Sequence, residues 1–223
     1  MIPGVQRLLG DTPDDDDPGD RPNFVARLSE YIEEVGTYLR ITKAQKILRR
    51  YFAMNAFDGA MTSLGVVIGA YISHIVDPGA VISVIIIGGV AMAVSGFSGT
   101  YMTESAERSK SLNELEDAML VDLEDTIHGQ ASRFVSVFAA LVDGSAPFMA
   151  SMPSVLPFFL AQQGIAPLGF AFMASIGASL VTLFLLGLFL GKISERNVIY
   201  SGIKMVVAGV SVAILAILLN GGI

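Results

Sequence analysis

The chain has no cysteine and no tryptophan, and only two histidines in 223 residues. Without thiols it has no disulfides and no thiolate metal sites, so any metal chemistry must use oxygen, imidazole or thioether donors. Charged residues are few, at 16%; soluble domains carry about 25%. The net charge of −7 argues against nucleic-acid binding. No Ser-His-Asp arrangement, Gly-rich phosphate loop or zinc-protease spacing occurs, and nothing in the chain reads as an enzyme.

What is abundant is apolar sequence, 52% of residues, with a mean hydropathy of +0.61. A bilayer core needs roughly 20 apolar residues per helix, and residues 52–76, 80–102, 134–160, 166–190 and 198–219 each supply that. The 23 glycines, many inside these runs, suit close backbone approach between membrane helices. The basic residues all fall on one side of this five-run plan. Arg7, Arg21, Arg27, Arg40, Lys43, Lys46, Arg49 and Arg50 precede the first run. Arg108, Lys110 and Arg133 separate the second from the third, and Lys192, Arg196 and Lys204 lie around the fourth-to-fifth connection. The connections at Asp77-Pro78-Gly79 and Ala161 to Gly164 carry none. By the positive-inside rule the N-terminus is cytoplasmic and the C-terminus outside. The expected fold is all-α, a polytopic membrane protein of five transmembrane helices with a helical cytoplasmic insert between helices 2 and 3. An N-inside plan with no targeting segment fits a prokaryotic plasma membrane.

Along the chain, residues 1–22 carry Asp11 and Asp14 to Asp17 among prolines and glycine, a tract expected to be disordered. Residues 23–50 read as a cytoplasmic amphipathic helix on the membrane surface. Helices 1 and 2 occupy 51–102, the acidic insert 103–133, and helices 3 to 5 occupy 134–223. The insert has no proline and a single late glycine, Gly129, so it is expected to be helical and to prolong the second span. A parallel repeat of two-helix units is hinted at: Phe57-Asp58-Gly59-Ala60 recurs as Val142-Asp143-Gly144-Ser145, and Ser105-Ala106-Glu107-Arg108 as Ser194-Glu195-Arg196.

Two aspartates stand inside spans. Asp58 lies about 12 Å beyond Arg50 on a helical rise, and Asp143 about 15 Å beyond Arg133. A carboxylate at that depth costs at least ~2.5 kcal/mol, so each is expected to face a partner or a wet path as a cation ligand or proton carrier. The alternative is an aspartate capping a broken helix, since glycine follows each. Pro147, Pro153 and Pro157 in the third span each remove a backbone donor and free a carbonyl one turn earlier. Met149 and Met152 lie beside them and Met92 lies in the second span. Such methionines are soft ligands or ordinary gap-fillers.

The insert offers carboxylates at helical spacing. Glu104 and Glu107, Glu114 and Asp117, and Asp125 and His128 are i,i+3 pairs, and Glu124 and His128 an i,i+4 pair. One face could thus present several oxygens and an imidazole to a metal. The alternative is a solvated acidic helix, with Glu107 and Lys110 as a surface pair.

The run Phe57-Asp58-Gly59-Ala60-Met61-Thr62-Ser63-Leu64-Gly65 to Gly69 resembles the first-span motif of the vacuolar iron transporter family, Asp-Gly followed by Thr/Ser-Leu-Gly. Met92-Ala93 and the Glu-rich insert fall where that family places them. The match covers about residues 50–220. It implies export of Fe²⁺, often also Mn²⁺, from the cytoplasm in exchange for protons, by a homodimer. It makes Asp58 and Met92 pathway residues, and Glu104, Glu107, Glu114 and Asp117 metal ligands of a collecting domain. The chain departs from the family at Ser95-Gly96-Phe97-Ser98-Gly99, where a Gly-Glu step is usual, and in its short insert.

The expectation is therefore a metal-cation/proton exchanger in a lipid bilayer, with Asp58, Met92, Glu104, Glu107, Glu114, Asp117, Asp125, His128, Asp143 and Met149 as candidate ligands for Fe²⁺ or Mn²⁺. Two readings stand beside it: a membrane-anchored metal sensor or store, and a proton-coupled carrier of a small organic cation using Asp58 and Asp143 alone.

Overall fold

The structure, a computed structural model, describes residues 35–36, 38–39, 44–124, 126–195 and 197–220, without the side chains of 217, 219 and 220. The expectations for the acidic tail 1–22, for most of the 23–50 helix, and for Asp125 and Arg196 lie outside the described residues. Within them there is no strand, and five helices are long and apolar enough to cross a membrane. These are α1 (Gln45–Ile72), α2 (Pro78–Met119), α3 (Ile127–Gln162), α4 (Leu168–Ile193) and α5 (Val198–Asn220).

Local sequence explains where they start and stop. Asp77 accepts a hydrogen bond from the Gly79 N–H at 3.0 Å, and Pro78 takes the first helical position, where a missing N–H costs nothing. Asn197 similarly accepts from the Tyr200 N–H at 3.3 Å ahead of α5. Two boundaries differ from the sequence reading. Residues 45–50 are not the end of a separate amphipathic helix; the run Gln45 to Arg50, built from good helix formers, is the first turn and a half of α1. The insert is not one helix. α2 does run on to Met119, but Leu120 adopts a left-handed φ of 54° and the chain turns before α3 restarts at Ile127. Side chains replace helical carbonyls there: Glu116 accepts from the Leu123 N–H at 2.8 Å and Asp122 from the Glu124 N–H at 2.9 Å. Gly129 is required by this turn, because a Cβ would stand 2.3 Å from the Glu124 carbonyl oxygen. α3 passes unbroken through Pro147, Pro153 and Pro157.

The chain divides into two compact units, residues 1–47 with 101–139, and 48–100 with 140–223. In the first, Tyr38 packs on Phe134 with ring centroids 5.3 Å apart, and Phe134 stacks on Phe138 at 5.8 Å. Arg133 donates to the Glu124 carbonyl at 2.6 Å, tying the turn to α3.

In the second unit one core cluster joins four helices: Val67 and Ala70, Val81 and Ile85, Val155 and Phe158, Ala171 and Phe172. Phe158 meets Phe172 edge-on at 5.0 Å. A second cluster sets Ala60, Leu64 and Ile68 against Leu183. α4 and α5 cross at glycine: a Cβ on Gly187 would stand 2.6 Å from the Gly202 Cα. Large apolar side chains also cover the outside of this unit, among them Ile87, Phe170, Val181, Leu185, Val207 and Leu218.

Candidate functional site

The sequence carries one carboxylate into the interior of the second unit. Asp143 of α3 is 3% exposed. Its Oδ1 accepts the side-chain amide of Asn55 on α1, and its Oδ2 accepts the Thr100 hydroxyl of α2 at 2.5 Å. Three helices thus converge on one side chain.

Glycine makes the convergence possible. A Cβ on Gly59 would stand 2.2 Å from the Pro147 carbonyl oxygen, so α1 and α3 touch backbone to backbone. A Cβ on Gly144 would stand 2.6 Å from the Ala93 carbonyl oxygen, and one on Gly96 would lie 3.4 Å from Asp143 Oδ2. Any side chain at the first two positions would separate the helices. Pro147 adds a second oxygen. Lacking an N–H, it leaves the Asp143 carbonyl without its usual helical donor.

The donors on Asp143 are neutral, and among the described residues no lysine, arginine or histidine forms an ion pair with it. A carboxylate shielded from water with only neutral partners calls for a proton or a cation to balance its charge. The Thr100 hydroxyl and the Asp143 carboxylate are hard-oxygen groups, the type preferred by small divalent cations over soft ligands.

Asp58 is placed differently. It lies in the middle of α1, is exposed, and makes no hydrogen bond or ion pair among the described residues. Neither aspartate ends a helix, so the helix-capping alternative for Asp58 and Asp143 is overturned. The repeated Asp-Gly step is a repeat of glycine crossings: Gly59 admits α3 and Gly144 admits α2. The two aspartates themselves face opposite environments. Met92 is half-buried and Met149 is exposed.

The remaining expected ligands do not assemble. Among the described residues, no three histidine, aspartate or glutamate side chains form a group able to hold a metal ion. Glu104 is buried at 3% exposure and is paired with Arg108 at 2.9 Å, while Glu107, Glu114, Asp117 and His128 are exposed. Lys110 pairs with Glu114 at 3.8 Å rather than with Glu107. The i,i+3 spacing does put carboxylates on a common face of α2, but burial of Glu104 against its own arginine takes one of them out of the set.

Sequence reasoning missed Asn55 and Thr100. Asn55 has a usable signal, since it is a polar residue within an apolar run, one turn before Asp58. A threonine within a helix ordinarily bonds its own backbone, so Thr100 gives no such sign.

The chain is 34% identical over 174 residues to the uncharacterized protein MJ0645 of the archaeon Methanocaldococcus jannaschii, across 77% of this chain and 87% of that one. It matches no family profile and no solved structure. With that identity over most of both lengths, the chain belongs to the family of the Methanocaldococcus jannaschii protein MJ0645.

Proposed function

We propose that the chain is an integral membrane transporter of the vacuolar iron transporter type, exporting Fe²⁺ or Mn²⁺ from the cytoplasm in exchange for protons. The observation that carries this is Asp143, a buried carboxylate within a membrane-length helix, held by Asn55 and Thr100 from two others. A structural anchor has no need of such a group, whereas a carrier alternates its occupant between cation and proton. Support for membrane insertion comes from the five apolar helices and the apolar outer surface of the second unit. The one-sided distribution of the basic residues supports a cytoplasmic N-terminus and a cytoplasmic 103–133 insert.

Asp58 supports the homodimer. An exposed carboxylate at mid-helix is unfavourable against lipid by at least ~2.5 kcal/mol, and a second copy packed on that face of α1 would cover it. Two Asp58 side chains across such a dyad would form the entry to the pathway, with Met92 as a soft ligand further along it. The exposed Glu107, Glu114 and Asp117 then attract cations as a charged surface.

The test is Fe²⁺ and Mn²⁺ entry into proteoliposomes holding a pH gradient, with metal and luminal pH read together. Gradient-dependent metal entry with opposite proton movement is the expected result. Metal bound to protein without entry would reject the transporter in favour of a metal-binding membrane protein.

A second reading, a proton-coupled carrier of a small organic cation, is favoured by the lack of an assembled metal group among the described residues. It predicts that flux survives neutralisation of Glu107, Glu114 and Asp117 together.

A further inference from the structure

The turn between α4 and α5 borders a solvent-open pocket of about 680 Å³, lined by Leu190, Ser194, Asn197, Tyr200, Ser201 and Lys204, of which Ser194, Asn197, Tyr200 and Lys204 are exposed. On α5 the contributors follow i, i+3, i+4, i+7 spacing from Asn197, so they form one stripe of that helix. Close packing places the stripe beside α4: a Cβ on Gly191 would stand 2.8 Å from the Val198 Cα and 3.0 Å from Ser201 Oγ.

Among the described residues, the lining holds one cation, three hydroxyls and the Asn197 amide, and no carboxylate. Lys204 lies about 9 Å along α5 from Val198, inside an otherwise apolar helix. Among the described residues its ammonium has no ion pair; it sits 4.6 Å from the centroid of the Tyr200 ring. The hydroxyls are also uncommitted. Ser175, Ser179 and Thr182 of α4 and Ser211 of α5 all donate to backbone carbonyls, whereas Ser194, Tyr200 and Ser201 make no side-chain hydrogen bond among the described residues. Among the described residues, the charged groups nearby are Lys192 in the last turn of α4 and Glu195 on the connecting turn; both are exposed and neither lines the pocket.

An ammonium and three hydroxyls on one open pocket supply the donor types that a tetrahedral oxyanion accepts from. We infer that the α4–α5 pocket is a binding site for a phosphate group, held by Lys204 with Ser194, Ser201 and Tyr200. The phosphate comes either from an anionic phospholipid headgroup, with Lys204 reaching up from the apolar stretch to the interface, or from a soluble phosphate. The lipid source rests on the membrane placement proposed above, but not on the transported cargo.

The experiment titrates the full chain in detergent with dihexanoyl phosphatidylglycerol and, separately, with inorganic phosphate, reading binding by calorimetry. At least one probe is expected to bind saturably, and Lys204→Gln to weaken it about tenfold or more while Lys204→Arg retains it. Binding of phosphatidylglycerol alone identifies the lipid source, and comparable binding of inorganic phosphate identifies a soluble one. If Lys204→Gln does not fold, Ser201→Ala serves instead, with a several-fold loss expected. Wild-type affinity for both probes in the variant, or no binding of either probe to the unaltered chain, overturns the site. Metal flux in proteoliposomes decides the transport reading separately.

Discussion

Asn55 of α1 donates its side-chain amide to Oδ1 of Asp143 on α3, 88 residues away in sequence. With Thr100 on the other oxygen, both acceptor atoms of this carboxylate are held by helices other than its own. Two consequences separate stability from transport. Asn55→Ala removes one donor from a buried acceptor and is expected to lower stability by about 1 kcal/mol, read as the unfolding midpoint in detergent. Asp143→Asn keeps the size of the side chain but not its charge. It is expected to unfold within a few degrees of the unaltered chain while losing gradient-driven metal entry at least about tenfold. Transport at the original rate in Asp143→Asn would remove the carboxylate from the pathway.

Gly59 meets the Pro147 backbone too closely for any side chain. Gly59→Leu is expected to force α1 from α3 and cost about 1–3 kcal/mol. Size-exclusion profile and unfolding midpoint are the readouts. A leucine accommodated without loss would mean that the two helices do not need this contact.

Met54 and Asp58 are both exposed and lie one turn apart on α1. In the proposed homodimer that face is covered by a second copy, and the chain has no native cysteine to interfere. Met54→Cys is expected to form a disulfide-linked dimer in membranes under mild oxidation. Exclusively monomeric protein would exclude pairing through this face.

Glu104 and Arg108 form a pair on α2 that is largely shielded from solvent, at 4% and 14% side-chain exposure. Removing the cation leaves the acid behind, so Arg108→Ala is expected to destabilise by about 1–3 kcal/mol, beyond what an exposed pair such as Lys110–Glu114 would show. Paired thermal unfolding of Arg108→Ala and Lys110→Ala measures the contrast. Equal and negligible effects would return Glu104 to the set of available metal ligands.

Orientation is testable with single cysteines at two exposed positions, Ser109 in the insert and Gln163 between α3 and α4. The positive-inside reading predicts that an impermeant thiol reagent outside intact cells labels Gln163→Cys and spares Ser109→Cys. The reverse pattern would invert the topology, and with it the direction of export.

The sequence alone determined the five apolar helices, to within a few residues at most ends, because span length and turn chemistry at Asp77-Pro78 and Asn197 are local properties. It also pointed to Asp143, since a charge within an apolar run is visible without any fold. What tertiary structure decided is which carboxylates are enclosed. Asp58 and Asp143 occupy the same Asp-Gly step, yet one is exposed and the other is held by Asn55 and Thr100. Likewise Glu104 is buried while Glu107, one turn further, is exposed. Helical spacing states which residues share a face but not which face meets another helix. In this chain that is set by where glycine lets two backbones touch, at Gly59 against Pro147 and at Gly144 against Ala93.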